Sequence, residues 1–217
     1  YRRGGELPTD LTATIRARVG FPVATADVLA GPAVRDDWAV LGVRDEGDER
    51  LTTRRCWLRG ARTGRPALVL SFAPLGQPLA ADLVPGTTVE ADLCFYPGAL
   101  PLRALVATRH AAPVAFAQPP GVQNLAEALA GYAGAIAAEP WLERWPMLLG
   151  DVTPVGHGDR WYVRDPAGAG LPLDLAGGAP WRLVAAAAGR PVTLAGELTT
   201  QGLRPVSAWS EGRLVAV

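Results

Sequence analysis

Residues 38–72 read WAVLGVRDEGDERLTTRRCWLRGARTGRPALVLSF. Three runs rich in β-branched, aromatic and aliphatic residues, WAVLGV, LTTRRCWL and ALVLSF, are separated by Gly, Asp, Glu and Arg. That is the pattern of short strands joined by turns. Two more runs, TTVEADLCF at 87–95 and PLRALVA at 101–107, complete a set of five strands. Between the third and the fourth, QPLAADLVPG has room for one helical turn only.

The same pattern resumes after residue 146 with MLLGDV, RWYVRD, LPLDL, PVTLAGELT and LRPVSAW. Gly42 then matches Gly150, Trp57 matches Trp161, Gly64 matches Gly168 and Gly86 matches Gly189, with an offset drifting only from 108 to 103. Val89, Ala91 and Phe95 fall opposite Val192, Leu194 and Leu198, so the alternation of apolar positions is shared. A period of this size points to tandem modules. In the second copy the gap before the fourth strand holds APWRLVAAAAGR, a short helix ending at Gly189. Three strands, a helix and two strands is the order of an OB-type barrel. An SH3-like or other small barrel fits the strand count nearly as well. Closure matters, because an open five-stranded sheet leaves edges that pair with other chains.

Helical spacing occurs twice. Pro8 and Thr9 precede Leu11, Ile15 and Val19, and Gly20 follows, which predicts a short helix over 8–20. Residues 122–139 place Leu125, Leu129, Tyr132 and Ile136 on one face and stop at Pro140. Such a face packs onto its own protein more often than into a partner. The expected fold is therefore mostly β with a few helices: two tandem small β-barrel modules, OB-like with five strands each, joined by a helix and preceded by a short helical lead. The expected boundaries are 1–36 for the lead-in and connector, 37–111 for the first module, 112–146 for a helical linker packing between modules, and 147–217 for the second module.

Composition narrows the function. The 21 basic residues are all Arg and are balanced by 21 acidic ones, so no overall field draws the chain to nucleic acid or to an anionic membrane. The apolar stretches are far shorter than the roughly 18 residues of a membrane span. The N-terminus YRRGGELPTD lacks both an initiator Met and the apolar core of a secretory signal, so the chain reads as a piece of a longer protein. Two cysteines, Cys56 and Cys94, are too few for a disulfide framework and favour a reducing, cytoplasmic setting. They read as two half-buried thiols, with approach across neighbouring strands as the alternative.

No set of residues reads as catalytic, metal-binding or cofactor-binding. A structural zinc needs four Cys or His ligands closely spaced, whereas this chain has two of each, scattered from 56 to 157. His157, in VGHGDR, reads as a hairpin turn residue, and His110 ends a strand with no evident partner. Ser71, Ser207 and Ser210 lack a nucleophile elbow. GARTGRP lacks the Gly-Lys-Ser/Thr ending of a phosphate loop and reads as a β-turn. The run Asp45, Glu46, Gly47, Asp48, Glu49 lacks the ligand alternation of a calcium loop and reads as a solvated hairpin tip.

One cluster has functional colour. Six of the 21 arginines fall between positions 50 and 65, interleaved with Trp57. In an OB-type barrel the second and third strands form a face where arginines hold phosphates and an aromatic ring stacks a base. Arg54, Arg55, Trp57, Arg59, Arg62 and Arg65 are therefore the candidate ligand or partner surface, with a solvated face as the plainer reading.

The run WAVLGVRDEGDERLTTRRCWLRGARTGRPALVLSFAPLGQPL, followed by VPGTTVEADLCFYPGALPLRALV, resembles the region downstream of the zinc finger in bacterial SWIM zinc-finger proteins. The lead-in YRRGGELPTDLTATIRARVGF resembles that family's preceding helix, and TGRPALVL and FYPGALPLRALV are the most characteristic pieces. The family's Cys-x-Cys and Cys-x-His ligands are absent here, so the resemblance places the metal site outside this chain. It implies an accessory role beside MoxR-type ATPases and von Willebrand A-domain proteins. The expected function is a non-catalytic interaction or scaffolding region with a protein partner and no cofactor. The alternative is single-stranded nucleic-acid binding through the basic face of the first barrel.

Overall fold

The computed structural model describes residues 7–47, 50–175 and 178–217. Asp48 and Glu49 of the acidic run and the first six residues of the lead-in lie outside them. The chain is mostly β, and the described residues form twelve strands and four helices. Helices α1 (Thr9–Arg18) and α2 (Thr25–Leu29) precede β1 (Ala33–Gly47), β2 (Leu51–Gly60), β3 (Pro66–Pro74), β4 (Thr87–Phe95), β5 (Arg103–Arg109) and β6 (Val114–Ala115). Helix α3 (Leu125–Ala138) leads to β7 (Trp145–His157), β8 (Arg160–Arg164) and β9 (Gly170–Pro172). Helix α4 (Trp181–Ala187) is followed by β10 (Val192–Thr199), β11 (Gly202–Ser210) and β12 (Arg213–Ala216). No helix among the described residues is long and apolar enough to cross a membrane.

All ten expected strands are present, β6 and β12 are additional, and other details differ from expectation. The QPLAADLVPG segment makes no helical turn; Pro78 and Pro85 bracket it, and Leu83 is buried in the first core instead. The connector before Trp38 contains α2, anchored by buried Val28. Strand β12 extends the second sheet through a tight turn at Glu211 and Gly212, where both residues have positive φ as a type I′ hairpin requires.

The first sheet runs β1-β2-β3-β5-β4-β6, and β1 also pairs with β4. Residues 33–39 of β1 pair with β4 and residues 38–47 with β2, with a register shift between Val40 and Gly42. Strands β3 and β5 are parallel, Leu68 opposite Arg103. The second sheet runs β12-β11-β10-β7-β8-β9, and its long first strand β7 likewise divides itself between β10 and β8. Just after β9, Leu173 bridges in parallel to Leu203 of β11. The pairings of β1 to β5 therefore recur in β7 to β11. The matched glycines agree as well: Gly64 and Gly168 have φ of +67° and +88°, and Gly86 and Gly189 have +81° and +77°. All four occupy the left-handed region that side chains avoid.

Three apolar clusters hold the molecule. Trp38, Val40, Leu58, Val89 and Leu93 centre the first core, and Met147, Leu149, Leu183, Leu194 and Leu203 centre the second. The third joins them: Ala39, Leu41 and Trp57 from the first sheet meet Leu148, Ala195 and Trp209 from the second. This seam explains why WAVL and MLL are continuous apolar runs. Alternate residues of β1, β2, β7, β10 and β11 face a core and the seam in turn, so both strand faces are buried there.

Helix α3 carries a capping box: Asn124 Oδ1 accepts from the Glu127 amide at 2.9 Å, and Glu127 Oε2 accepts from the Asn124 amide at 3.1 Å. Its buried residues are Leu125, Ala128 and Ala135, with Tyr132 packed on the second core. Leu129 and Ile136 remain 38% and 37% exposed, so the inward stripe is rotated from the expected one. Helix α1 is similar, burying Thr14 while Val19 stays exposed. Thr14 Oγ1 accepts from the Ala99 amide at 2.8 Å and fixes α1 to the β4–β5 loop.

The GARTGRP turn is organised by Asp36, which is fully buried. Its carboxylate accepts from the Asp37 amide at 2.7 Å, the Arg62 amide at 3.0 Å, the Thr63 amide at 2.9 Å and the Thr63 hydroxyl at 2.6 Å. Burial pushes the Asp36 carboxyl upward, but the Thr63 hydroxyl and the backbone donors outweigh it and hold the pKa below the ordinary 3.8. A depressed folded-state pKa gives stability that is complete above the unfolded value and is lost as pH falls through the folded one. Asp36→Asn is therefore expected to be less stable at pH 7 by about 2 kcal/mol. The gap should begin to narrow below about pH 4, where the unfolded chain takes up a proton that the folded carboxylate still refuses, and should close once pH falls through the lower folded value. Urea unfolding at pH 7 and pH 3 reads both effects.

Candidate functional site

The six residues singled out from sequence do not share one surface. In β2, Cys56 and Leu58 face the first core, whereas Trp57 faces the seam together with its strand neighbours Arg55 and Arg59. Arg54, on the other side, grips Asp45 through two nitrogens at 2.8 and 2.7 Å and donates to the Ala80 carbonyl at 2.9 Å. Arg62 belongs to the Asp36 turn, 3.3 Å from that carboxylate. Arg65 stacks on Phe95 with its guanidinium carbon 3.6 Å from the ring centroid. Arg59 lies against Gly121, with its Nε buried and unpartnered, and burial pushes its pKa down.

Arg55 and Trp57 are the two that meet, in a charge network bridging the sheets. Trp57 is 3% exposed, and its Nε1–H donates to Glu197 Oε1 of β10 at 2.7 Å. Glu197 is fully buried and also accepts from Arg144 at 3.2 Å. Arg144, just before β7, reaches back to Glu46 of β1 at 2.8 Å. Glu46 takes Arg55 at 2.6 Å and Arg204 of β11 at 3.3 Å, and Arg204 pairs with Asp174 at 2.6 Å. Burial pushes the Glu46 carboxyl up, but the Arg144 hydrogen bond and the charges of Arg55, Arg144 and Arg204 hold it below the ordinary carboxylate value. Arg144 is shifted the opposite way: burial lowers its pKa, but Glu46 and Glu197 raise it further.

A cleft of about 430 Å³ opens beside this network. Its floor is the outward face of β2 and β3, and its walls are the C-terminal half of α1, the β4–β5 loop and the segment between α3 and β7. Arg18 of α1 closes one rim by pairing with Glu139 at 2.8 Å and Glu143 at 3.5 Å. On the opposite rim the guanidinium carbon of Arg103 sits 4.2 Å from the centroid of Tyr96. No protein-family model, curated protein or solved structure matches this chain.

The remaining candidates fall as follows. Cys56 and Cys94 are free and buried, and the Cys56 thiol is pushed up to about 12 by burial. They do not face each other across neighbouring strands, because β1 runs between β2 and β4 and pairs with both. His110 has a partner after all: its Nε2 lies 2.8 Å from Asp92 Oδ2 on the adjacent strand. His157 occupies the end of β7 at the hairpin tip, and Ser207 is buried at the seam. Among the described residues no three His, Cys, Asp or Glu side chains are grouped to hold a metal ion. Glu46 was visible in the acidic run, but Arg144, Glu197, Arg204 and Asp174 carry no sequence signal of their joint role.

Proposed function

We propose that this chain is a non-catalytic interaction or scaffolding region of a SWIM zinc-finger-like protein, built from two OB-like five-stranded barrels locked together. The barrel reading is supported by the recurrent pairing order, which in the first sheet returns to its starting strand, and by the matched positive-φ glycines. The scaffold reading is carried by one observation: Trp57 is spent on Glu197 and Glu46 on Arg144 and Arg204, so the network ties the two halves together. A rigid pair of modules with an invariant relative orientation suits presentation of a neighbouring domain to a partner protein. Two free cysteines accord with a cytoplasmic setting.

The partner class follows the family resemblance, a MoxR-type ATPase or a von Willebrand A-domain protein. The test is co-purification of this chain with MoxR-type ATPases and von Willebrand A-domain proteins from the same genome. A stoichiometric complex with one of them supports the proposal, and failure of every such pair to associate rejects it. The competing reading, single-stranded nucleic acid on Arg54, Arg55, Trp57, Arg59, Arg62 and Arg65, predicts binding that weakens steeply with salt. Fluorescence anisotropy with labelled single strands at low salt separates the two, and the scaffold account expects no signal at tens of micromolar protein.

A further inference from the structure

The geometry points to the cleft between α1, the β4–β5 loop and the α3–β7 segment as a binding site for a small organic anion with a flat apolar body. Its volume of about 430 Å³ falls within the range of ligand sites, roughly 300–1,000 Å³. Four arginines line it, Arg18, Arg55, Arg103 and Arg144, against two carboxylates, Glu139 and Glu143. Both carboxylates turn to Arg18. Behind the wall, Glu46 and Glu197 engage only one nitrogen of Arg144, and Glu46 only one of Arg55. Arg103 has no carboxylate partner among the described residues; stacking on Tyr96 holds its guanidinium plane in place while leaving its N–H donors unpaired. A pre-positioned guanidinium with free donors is suited to two-point capture of a carboxylate or phosphate.

The rest of the cleft selects for an apolar body. Leu68 and Leu70 form the floor, and Leu100, Leu102 and Leu142 the walls. All five are only partly buried, so a ligand gains by covering them. Inorganic phosphate would satisfy Arg103 and leave these leucines wet, and a cation of the same shape would meet the uncompensated charge of Arg103. The inferred ligand class is therefore an aromatic or cyclic carboxylate or phosphate monoester. This goes beyond the scaffold proposal and does not depend on it.

The test is isothermal titration of the intact chain with 2-naphthoate and 2-naphthyl phosphate, with 2-naphthylmethylamine and inorganic phosphate as comparison ligands. The two naphthyl anions are expected to bind at a single site, at least tenfold more tightly than either comparison ligand. Arg103→Ala removes an exposed side chain that makes no ion pair, so the fold is retained, and binding should weaken about tenfold. Leu70→Glu places a negative charge on the floor and should weaken it further, with the circular dichroism spectrum unchanged. Equal binding of the amine, no binding of either naphthyl anion at millimolar concentration, or wild-type affinity in Arg103→Ala would each overturn the inference.

Discussion

Gly42→Ala is expected to lower the unfolding free energy by about 2–3 kcal/mol, a large effect for one added methyl group. Gly42 has no positive φ, so backbone strain does not contribute. The added Cβ would instead lie 2.4 Å from Val206 Cγ1 and 2.8 Å from Ser207 Oγ, both on β11 of the second sheet. Either the sheets move apart or the β11 side chains leave their rotamers, and each route is costly in close packing. Gly64→Ala serves as the contrast, because φ is +67° there and no atom lies within 4 Å of the new Cβ. It should cost about 1 kcal/mol through the backbone alone. Combining Gly42→Ala with Val206→Ala should recover part of the loss, since the truncation removes the clashing methyl. Urea denaturation of the four proteins reads all three effects.

Glu197→Ala should be at least as damaging, with a loss of about 3 kcal/mol. The carboxylate is fully buried and serves two donors, the Trp57 indole at 2.7 Å and Arg144 at 3.2 Å. Removing it leaves a buried N–H without an acceptor and deprives Arg144 of its buried partner, while Glu46 still holds the same nitrogen of that guanidinium. This remaining bond places the effect at the low end for a broken buried pair. Glu197→Gln retains an acceptor for Trp57 and should lose only about 1 kcal/mol. The pair of variants thus separates the neutral hydrogen bond from the charge. Thermal or urea unfolding, followed by circular dichroism, provides the measurement.

The strands were legible because their signals are local: short apolar runs bounded by turn residues, and glycines at the left-handed positions 64, 86, 168 and 189. The seam was less legible. WAVL and MLL announce strands buried on both faces, but nothing in the runs says that each outer face meets the other. The charge network is hidden further, since Trp57 and Glu197 are 140 residues apart and Glu46 and Arg144 are 98 apart. Treating Arg54 to Arg65 as one basic face overlooked strand alternation, which puts Arg55, Trp57 and Arg59 on one side of β2 and Arg54 on the other. The balance of 21 basic and 21 acidic residues was a fair hint that many arginines have carboxylate partners. Helix α3 misled through residue size: Leu129 and Ile136 look like core, but small Ala128 and Ala135 let the helix approach β7 closely.

The joining of the two sheets through one buried pair is tested most directly by a double-mutant cycle on Trp57→Phe and Glu197→Ala, each of which removes the hydrogen bond, with unfolding free energies measured for the wild type, both single variants and the double variant. A coupling energy of about 1 kcal/mol or more is predicted, because the indole N–H and the carboxylate are each other's hydrogen-bond partner. Additivity within about 0.3 kcal/mol would mean that the two groups do not sense one another, and would contradict the locked seam.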